Sequence, residues 1–466
     1  MNLIENGNFR GDLSAQDDMN IRYISLIRKI FISTALVSFA IFIGRLAGLV
    51  REVLLASTLG ISKEADMAVL MLTFPDFLLN IIVGGAMAAV LVPTFKRLNR
   101  TEAVSFFSQM NFVIAILFSI FTLILFLKPE ILISIFAPGF DTTEMQIIFP
   151  YLRIVVWILP FTAFAGVSTA FLQANERFFI PALGTLLFNG IVIAGLFIGR
   201  NQNMILISLA VSIVLAGFIR WLSQLWNIKT FSPLLSLSKS PFLNKKLLIG
   251  YFESVFALGI PLLIPVIAGA FATLSTEGGL ALLNYSNKLI QLPLGIFLTV
   301  FSITLFPKFS ELLSKHEEFM KAKTLIRSSL WLVFSLSIIL MLIFISFRSP
   351  IVRLIYDHGH VTLNDIATLT ELTGIGFLVL PAMGLSSLLI TIYNAKLDTR
   401  TPLIINLIML LGFILSAWIL SNYYGLTGIV VAQVVSSWLG MLLQIIMLRY
   451  SHGVLFSPNK RVFKRA

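Results

Sequence analysis

Apolar residues fall in long blocks along this chain, with short polar stretches between them. Twelve blocks can be traced, at roughly 30–57, 65–92, 105–127, 147–173, 180–199, 204–227, 249–274, 280–305, 325–347, 366–393, 402–420 and 425–449. Each is near or above the about 20 residues that a helix needs to cross a hydrocarbon core. The apolar–polar alternation of a membrane barrel is absent, and a helix satisfies its own backbone hydrogen bonds in lipid. The pattern therefore predicts twelve membrane-spanning helices.

Composition strengthens this reading. Of 466 residues, 58% are hydrophobic and 12% charged, and the mean hydropathy is +0.95. A soluble domain is roughly a quarter charged, so an ordinary soluble enzyme, a disordered chain and a disulfide scaffold are excluded. Twelve spans of about 22 residues use over half of the chain, and the function must lie inside the bundle. There is no cysteine, hence no thiolate chemistry. The four histidines, His316, His358, His360 and His452, fall in predicted loops or the tail and read as solvated residues. No Gly-rich phosphate loop and no nucleophile–base pair is visible, so neither catalysis nor ATP-driven pumping is expected. Residues 1–29 are polar and carry Asp12, Asp17 and Asp18. A secretory signal is basic and then apolar, so this head is expected to be cytoplasmic and the first apolar block to be a true span.

The net charge of +12 follows the loops. With the head placed inside, 24 of the 34 Lys and Arg fall in inner loops and tails, five in outer loops and five within spans. Such a bias orients a membrane protein, and here it predicts both termini in the cytoplasm. The basic surplus is thus accounted for without nucleic acid.

Short matches hint at duplication. Leu91-Val92-Pro93-Thr94-Phe95-Lys96 resembles Leu305-Phe306-Pro307-Lys308-Phe309, and Asn175 before Pro181 resembles Asn394 before Pro402. The paired prolines are 214 and 221 residues apart. Six spans separate the copies, which is a parallel repeat of two six-helix lobes around a central cavity. The expected organisation is a cytoplasmic head at 1–29, a first lobe at 30–227, a cytoplasmic inter-lobe loop at 228–248, a second lobe at 249–449 and a basic tail at 450–466.

Ionisable groups at membrane depth are costly and mark cavities or partners. Arg45 and Arg51 lie in the first span, within Gly44-Arg45-Leu46-Ala47-Gly48-Leu49-Val50-Arg51-Glu52. Arg45 sits near mid-membrane, either in a salt bridge to Asp76 or as cationic lining for an anionic substrate, for which guanidinium geometry suits phosphate. Arg51 and Glu52 stand nearer the outer end, where interfacial pairing is the alternative. Lys288, in Asn284-Tyr285-Ser286-Asn287-Lys288, is expected to face the second span across the lobes. Arg153 and Arg220 read as interfacial. Among acidic groups, Asp66 reads as a cap of the second helix, and Asp76 follows the kinking Pro75. Asn394, Asp398 and Glu253 are candidates for holding a coupling ion, with capping as the alternative for the first two.

The order of these motifs resembles the MurJ/MviN lipid II flippases of the multidrug/oligosaccharidyl-lipid/polysaccharide exporter superfamily. The matching stretches are Gly44 to Glu52, Ala65-Asp66, Phe74-Pro75, Gly85-Ala86, Val92-Pro93, Ala137-Pro138-Gly139-Phe140, Asn175-Glu176-Arg177-Phe178 with Pro181-Ala182, Pro293-Leu294-Gly295, Leu305-Phe306-Pro307, Tyr356-Asp357-His358-Gly359 and Asp398-Thr399-Arg400-Thr401-Pro402. The resemblance implies an all-α V-shaped pair of lobes in the bacterial inner membrane. It implies alternating access that moves an undecaprenyl-pyrophosphate-linked peptidoglycan precursor outward for cell-wall synthesis and cell shape. It further implies that Arg45, Arg51 and Lys288 engage the head group and that Asp66 stands beside the cavity mouth; Asp76, from its depth in the second span, is a further cavity or gating candidate. No cofactor or nucleotide is implied, and coupling would come from membrane potential, sodium or protons. A monomer is expected. The chain departs from the family at Leu78-Leu79-Asn80, which lacks a further Arg, and at Gly84, which stands for an acidic residue. The two additional C-terminal helices common in the family have no counterpart before the tail, Lys460 to Arg465. These departures fit a lipid II flippase that holds its lipid differently, or a flippase for another polyprenyl-linked glycan. A drug or cation antiporter of the same superfamily ranks lower, since its cavity should be acidic. A non-transporting bundle with internal charge pairs is the third reading.

Overall fold

A computed structural model describes residues 36–81, 87–199, 204–228, 245–293, 319–396, 398 and 400–452. Every regular element among the described residues is helical. The first half contains α1 (36–59), α2 (Lys63–Ile81), α3 (Met87–Arg97), α4 (Arg100–Leu127), α5 (Glu130–Phe136), α6 (Thr142–Val155), α7 (Ile158–Ala174), α8 (Phe179–Ile198) and α9 (Ile205–Ile228). The second half contains α10 (Lys245–Ser275), α11 (279–293), α12 (Phe319–Ser346), α13 (Arg348–Tyr356), α14 (Leu363–Gly376), α15 (Leu380–Ala395) and α16 (Arg400–His452). Seven helical segments among the described residues are long and apolar enough to cross a membrane. Most of the expected inter-lobe loop, and the N-terminal head and C-terminal tail, lie outside the described residues.

The two halves follow one plan. A long span (α4, α12) leads to a short helix (α5, α13), and the next helix (α6, α14) starts at a capping box. Asp141 pairs reciprocally with Glu144, and Thr362 with Asp365, so each satisfies two amides that the helix start leaves open. Lys63 reaches across from the start of α2 to Asp141 at 3.3 Å and Glu144 at 3.2 Å. The amide of Glu144, and then Lys63, holds the Asp141 carboxyl below its ordinary range.

The fourth and tenth spans differ from the single helices expected. Each is broken once, between α6 and α7 at Val156–Trp157 and between α14 and α15 by a 3₁₀ turn at Phe377–Val379. The cause is the same in both: Pro160 and Pro381 cannot donate to the carbonyl four residues back and crowd it. The last two expected spans run together as α16, bent at Gly425 (φ 54°, ψ −133°), a conformation that only glycine takes without strain.

Core packing differs between the two ends. At the end carrying α5 and α13, the outer end in the orientation predicted by the charge bias, residues of both halves form one core. Leu55, Met67, Phe136, Ala272, Tyr285 and Tyr356 belong to it. Towards the inner end the cores separate. Phe95, Phe106, Phe107 and Phe171 pack edge to face or tilted within the first half, while Ile326, Leu389, Tyr393 and Met441 form a cluster of the second. The exposed stripe of α4, including Ile116, Ile120, Leu123 and Leu127, is where lipid is the solvent.

Two loops close the outer end, and they are equivalent in the repeat. The loop after α5 docks on the second half, where the Gly139 amide donates to Thr273 Oγ1 at 3.1 Å. The loop after α13 docks on the first half, where the His360 amide donates to the Ser57 carbonyl at 3.0 Å. Gly359 (φ 67°) has no room for a side chain: a Cβ there would collide with the Ser57 carbonyl, as one on Gly139 would with that of Thr273. His358 and His360 are exposed as expected, but their loop is part of this seam. Gly359→Val is therefore expected to loosen the outer end. With Ser57→Cys as the sole thiol, labelling by an impermeant maleimide should rise severalfold over the Gly359 background; unchanged labelling would contradict the seam.

Candidate functional site

Two charged residues of α1, Arg51 and Glu52, are buried between the halves. Arg51 is 2% exposed and Glu52 1%. Arg51 Nη2 donates to Glu52 Oε1 at 2.7 Å and to Asp76 Oδ2 at 3.3 Å, and Nη1 donates to Asn189 Oδ1 at 3.0 Å. Its Nε has no hydrogen-bond partner. Asn189 Nδ2 donates to the Gly44 carbonyl at 3.1 Å. Gly44 and Gly48 lie against Thr185 and Asn189 of α8, so the small residues let α1 approach closely.

Glu52 is also held from the second half. Asn284 Nδ2 donates to its Oε2 at 2.9 Å, and Lys288 Nζ stands 3.8 Å from Oε1. Asn284 and Lys288 are one turn apart on α11, hence on one face. A desolvated carboxylate is thus shared by an arginine of its own helix and an amide and ammonium from the other half. A buried ion pair gives little net stability, but removing one partner leaves an expensive charge.

Asp66 makes a second link between the halves. It is 4% exposed, and its Oδ1 accepts the Ala281 amide at 2.7 Å. Ala281 lies in the first turn of α11, where amides lack helical partners and the dipole favours an anion. Asp66 thus caps a helix of the other half. The expected cap of its own helix is supplied by Ser62, whose Oγ accepts the Ala65 amide at 3.1 Å.

Several further expectations change. Asp76 pairs with Arg51, whose side chain runs back along α1 towards it. Arg45 is exposed, seven residues before Glu52 and so on nearly the same face, two turns inward. Arg51 and Glu52 pair in the protein interior, not at a membrane interface. Lys288 approaches Glu52 of the first span and not the second span. Arg153 is exposed as expected, but Arg220 is not interfacial. It is 5% exposed, lies over Gly184 of α8, and has Nε and Nη1 without partners. Only the glycine opposite leaves room for it, and one helix read alone does not reveal that.

The coupling-ion candidates do not form one cluster. Asp398 caps α16, accepting from the Thr401 amide at 3.1 Å and hydroxyl at 2.8 Å. Asn394 is exposed, and α15 ends at Ala395, so the four-residue spacing does not place the two on one helix. The Glu253 side chain lies outside those described. Two residues of the network, Asn189 and Asn284, are not among the candidates named from the sequence. Asn189 is an amide alone in the apolar run of α8, and Asn284 is one turn from Lys288; both signals were present in the chain.

Comparisons with known proteins agree with this architecture. The family model described as "Lipid II flippase MurJ" matches residues 55–466. A probable lipid II flippase MurJ of Rickettsia prowazekii is 27% identical over 444 residues, covering 93% of this chain and 85% of that protein. One of Thermotoga maritima is 27% identical over 445 residues, covering 92% and 86%. Among solved structures, a lipid II flippase MurJ in an inward closed conformation matches with a TM-score of 0.79 at 24% identity, covering 89% of this chain and 87% of that one. An inward-facing multidrug resistance MATE transporter matches at 0.71 and 14% identity, covering 90% and 98%.

The network predicts an asymmetric mutational cost. Arg51→Met alone should destabilise the protein by about 3–5 kcal/mol, read from unfolding in detergent. Adding Glu52→Gln should restore much of that, because the uncompensated carboxylate is gone. A double variant as unstable as the sum of the single changes would contradict the pairing.

Proposed function

We propose that this chain, which belongs to the lipid II flippase MurJ family, carries the diphosphate-linked peptidoglycan precursor lipid II from the inner to the outer leaflet by alternating access. The observation that carries this reading is the cationic set at the junction of the halves. Among the described residues, Arg51 and Lys288 meet Glu52 and Asp76 there, and Arg45 adds a third cation two turns inward on α1, which suits an anionic head group. Guanidinium forks suit phosphate oxygens. A cavity built for organic cations would carry the opposite balance.

The geometry also suggests how binding leads to transport. Glu52 holds Arg51, Asn284 and Lys288 together only while the outer end is closed. A diphosphate engaging Arg51 and Lys288 competes with Glu52 and with the longer Asp76 contact. It therefore weakens the bridge between the halves from the inside and favours opening outward. A ligand shifts such an equilibrium only by binding one state better, and competition for shared cations supplies that difference.

The protein then works in a bacterial cytoplasmic membrane with both termini inside, as a transporter and not a catalyst, and as a monomer. Membrane potential is the coupling source we favour. Moving one charge through 100 mV is worth about 2.3 kcal/mol. An inside-negative potential expels the anionic cargo and draws the emptied cationic site back inward. Sodium or proton binding near Asp398, Asn394 or Glu253 is the alternative. The Leu79-Asn80 stretch, without a further arginine, leaves another polyprenyl-linked glycan as the second cargo.

Two outcomes test this. Arg45→Ala, expressed at the normal level, should abolish lipid II translocation in vesicles; retained transport would remove Arg45 from its role. Collapse of the potential should slow wild-type transport severalfold at constant sodium and pH, and an unchanged rate would point to an ion instead.

A further inference from the structure

The second half contains a cavity of about 540 Å³ enclosed by α10, α11, α14, α15 and α16. Its polar lining is unusual for the interior of a membrane bundle. Asn287, Gln291, Asn406, Gln433 and Gln444 all face it, with Ser386, Ser387, Thr391 and Ser437, and no residue lining it is charged. The hydroxyls of Thr391 and Ser437 are spent on carbonyls of their own helices. Among the described residues, no hydrogen bond is made by the side-chain amides of Asn287, Gln291, Asn406 and Gln433. Gln444 is 1% exposed, and its Oε1 is buried without a partner. On α10, Pro265 removes the amide that the Pro261 carbonyl would otherwise receive. A concave site with several convergent polar groups is the usual form of a ligand pocket, and a buried amide oxygen left unpaired, as at Gln444, is costly.

The cavity and the charged site share one helix face. Asn284, Asn287, Lys288 and Gln291 follow the three- and four-residue spacing of a single face of α11. Asn284 and Lys288 hold Glu52, while Asn287 and Gln291 line the cavity. One helix thus carries a charged contact at its outer turns and uncharged amides immediately inward.

We infer that this amide-lined recess binds the uncharged, N-acetylated sugar portion of the cargo while Arg45, Arg51 and Lys288 hold its diphosphate. The inference rests on the function proposed above and deepens it. Amides offer a donor and an acceptor together, matching sugar hydroxyls and acetamido groups, which are also both. An uncharged lining suits neither a free anion nor a metal cation. The division also assigns the two parts of the head group to different halves, so both halves must close on one molecule.

The test uses the full chain in detergent and two probes, undecaprenyl diphosphate and lipid II, titrated by native mass spectrometry. Wild type should bind lipid II more tightly than undecaprenyl diphosphate. Asn406→Leu and Gln433→Leu should each weaken lipid II binding by about tenfold, the scale of one lost hydrogen bond with its unpaired partner. Neither should change undecaprenyl diphosphate binding. Equal wild-type affinity for the two probes overturns the inference and leaves the diphosphate site standing. Unchanged lipid II affinity in both variants means a recess that holds only water and overturns it too. Parallel loss of both probes in the variants also overturns it, since the recess would then serve the fold and not the sugar. Binding of neither probe by wild type overturns the proposed function and the inference with it.

Discussion

The structure turns on one constraint: Arg51 and Glu52 are charged, adjacent and buried at membrane depth. Neither can stay there alone. The arrangement of neighbouring elements follows from that need. Gly44 and Gly48 bring α1 against α8 so that Asn189 can reach Arg51. Asp76 comes from α2, and Asn284 and Lys288 come from the other half. The same contacts that satisfy the charges also tie the halves together, so charge compensation and conformational state are linked.

The outer seam adds a geometric counterpart. Each half extends the loop after its short helix onto the other half, and each contact is a backbone amide near a glycine that tolerates no side chain. Both halves share the core at that end, while at the other each keeps a cluster of its own, met only at its margin by Tyr251 of α10 among the described residues. This is the packing expected of halves that rock about their junction, since packed cores move as bodies and do not deform continuously.

Much of this was legible in the chain, for physical reasons. Lipid demands long apolar helices, so the spans stand out, and the short repeats pointed to a duplicated plan, in which Pro160 and Pro381 stand at corresponding breaks. The motif order pointed to the family. Individual charge partners were less legible. The sequence offers an Arg45–Asp76 pair as one of two readings of Arg45, by approximate depth, but Asp76 is met by Arg51, through the direction in which that side chain runs along its helix. It assigns Asp66 to its own helix, because a cap for a helix 215 positions away cannot be seen locally. It leaves Arg220 at the membrane interface, because the space for it is made by Gly184 on a neighbouring helix. The amide recess is illegible for a similar reason: its polar members are spread over α11, α15 and α16, and only folding gathers them.

The capping of α11 by Asp66 has a consequence for how the outer end can part. In the closed state the carboxylate and the first amides of α11 satisfy one another in a nearly dry environment. Separation strips both at once, and lipid offers neither any substitute. Only water can replace the lost partners. Outward opening is therefore a wetting transition, in which hydration of the seam accompanies its separation. Anything that keeps that crevice dry holds the halves together, even where it touches no charged residue.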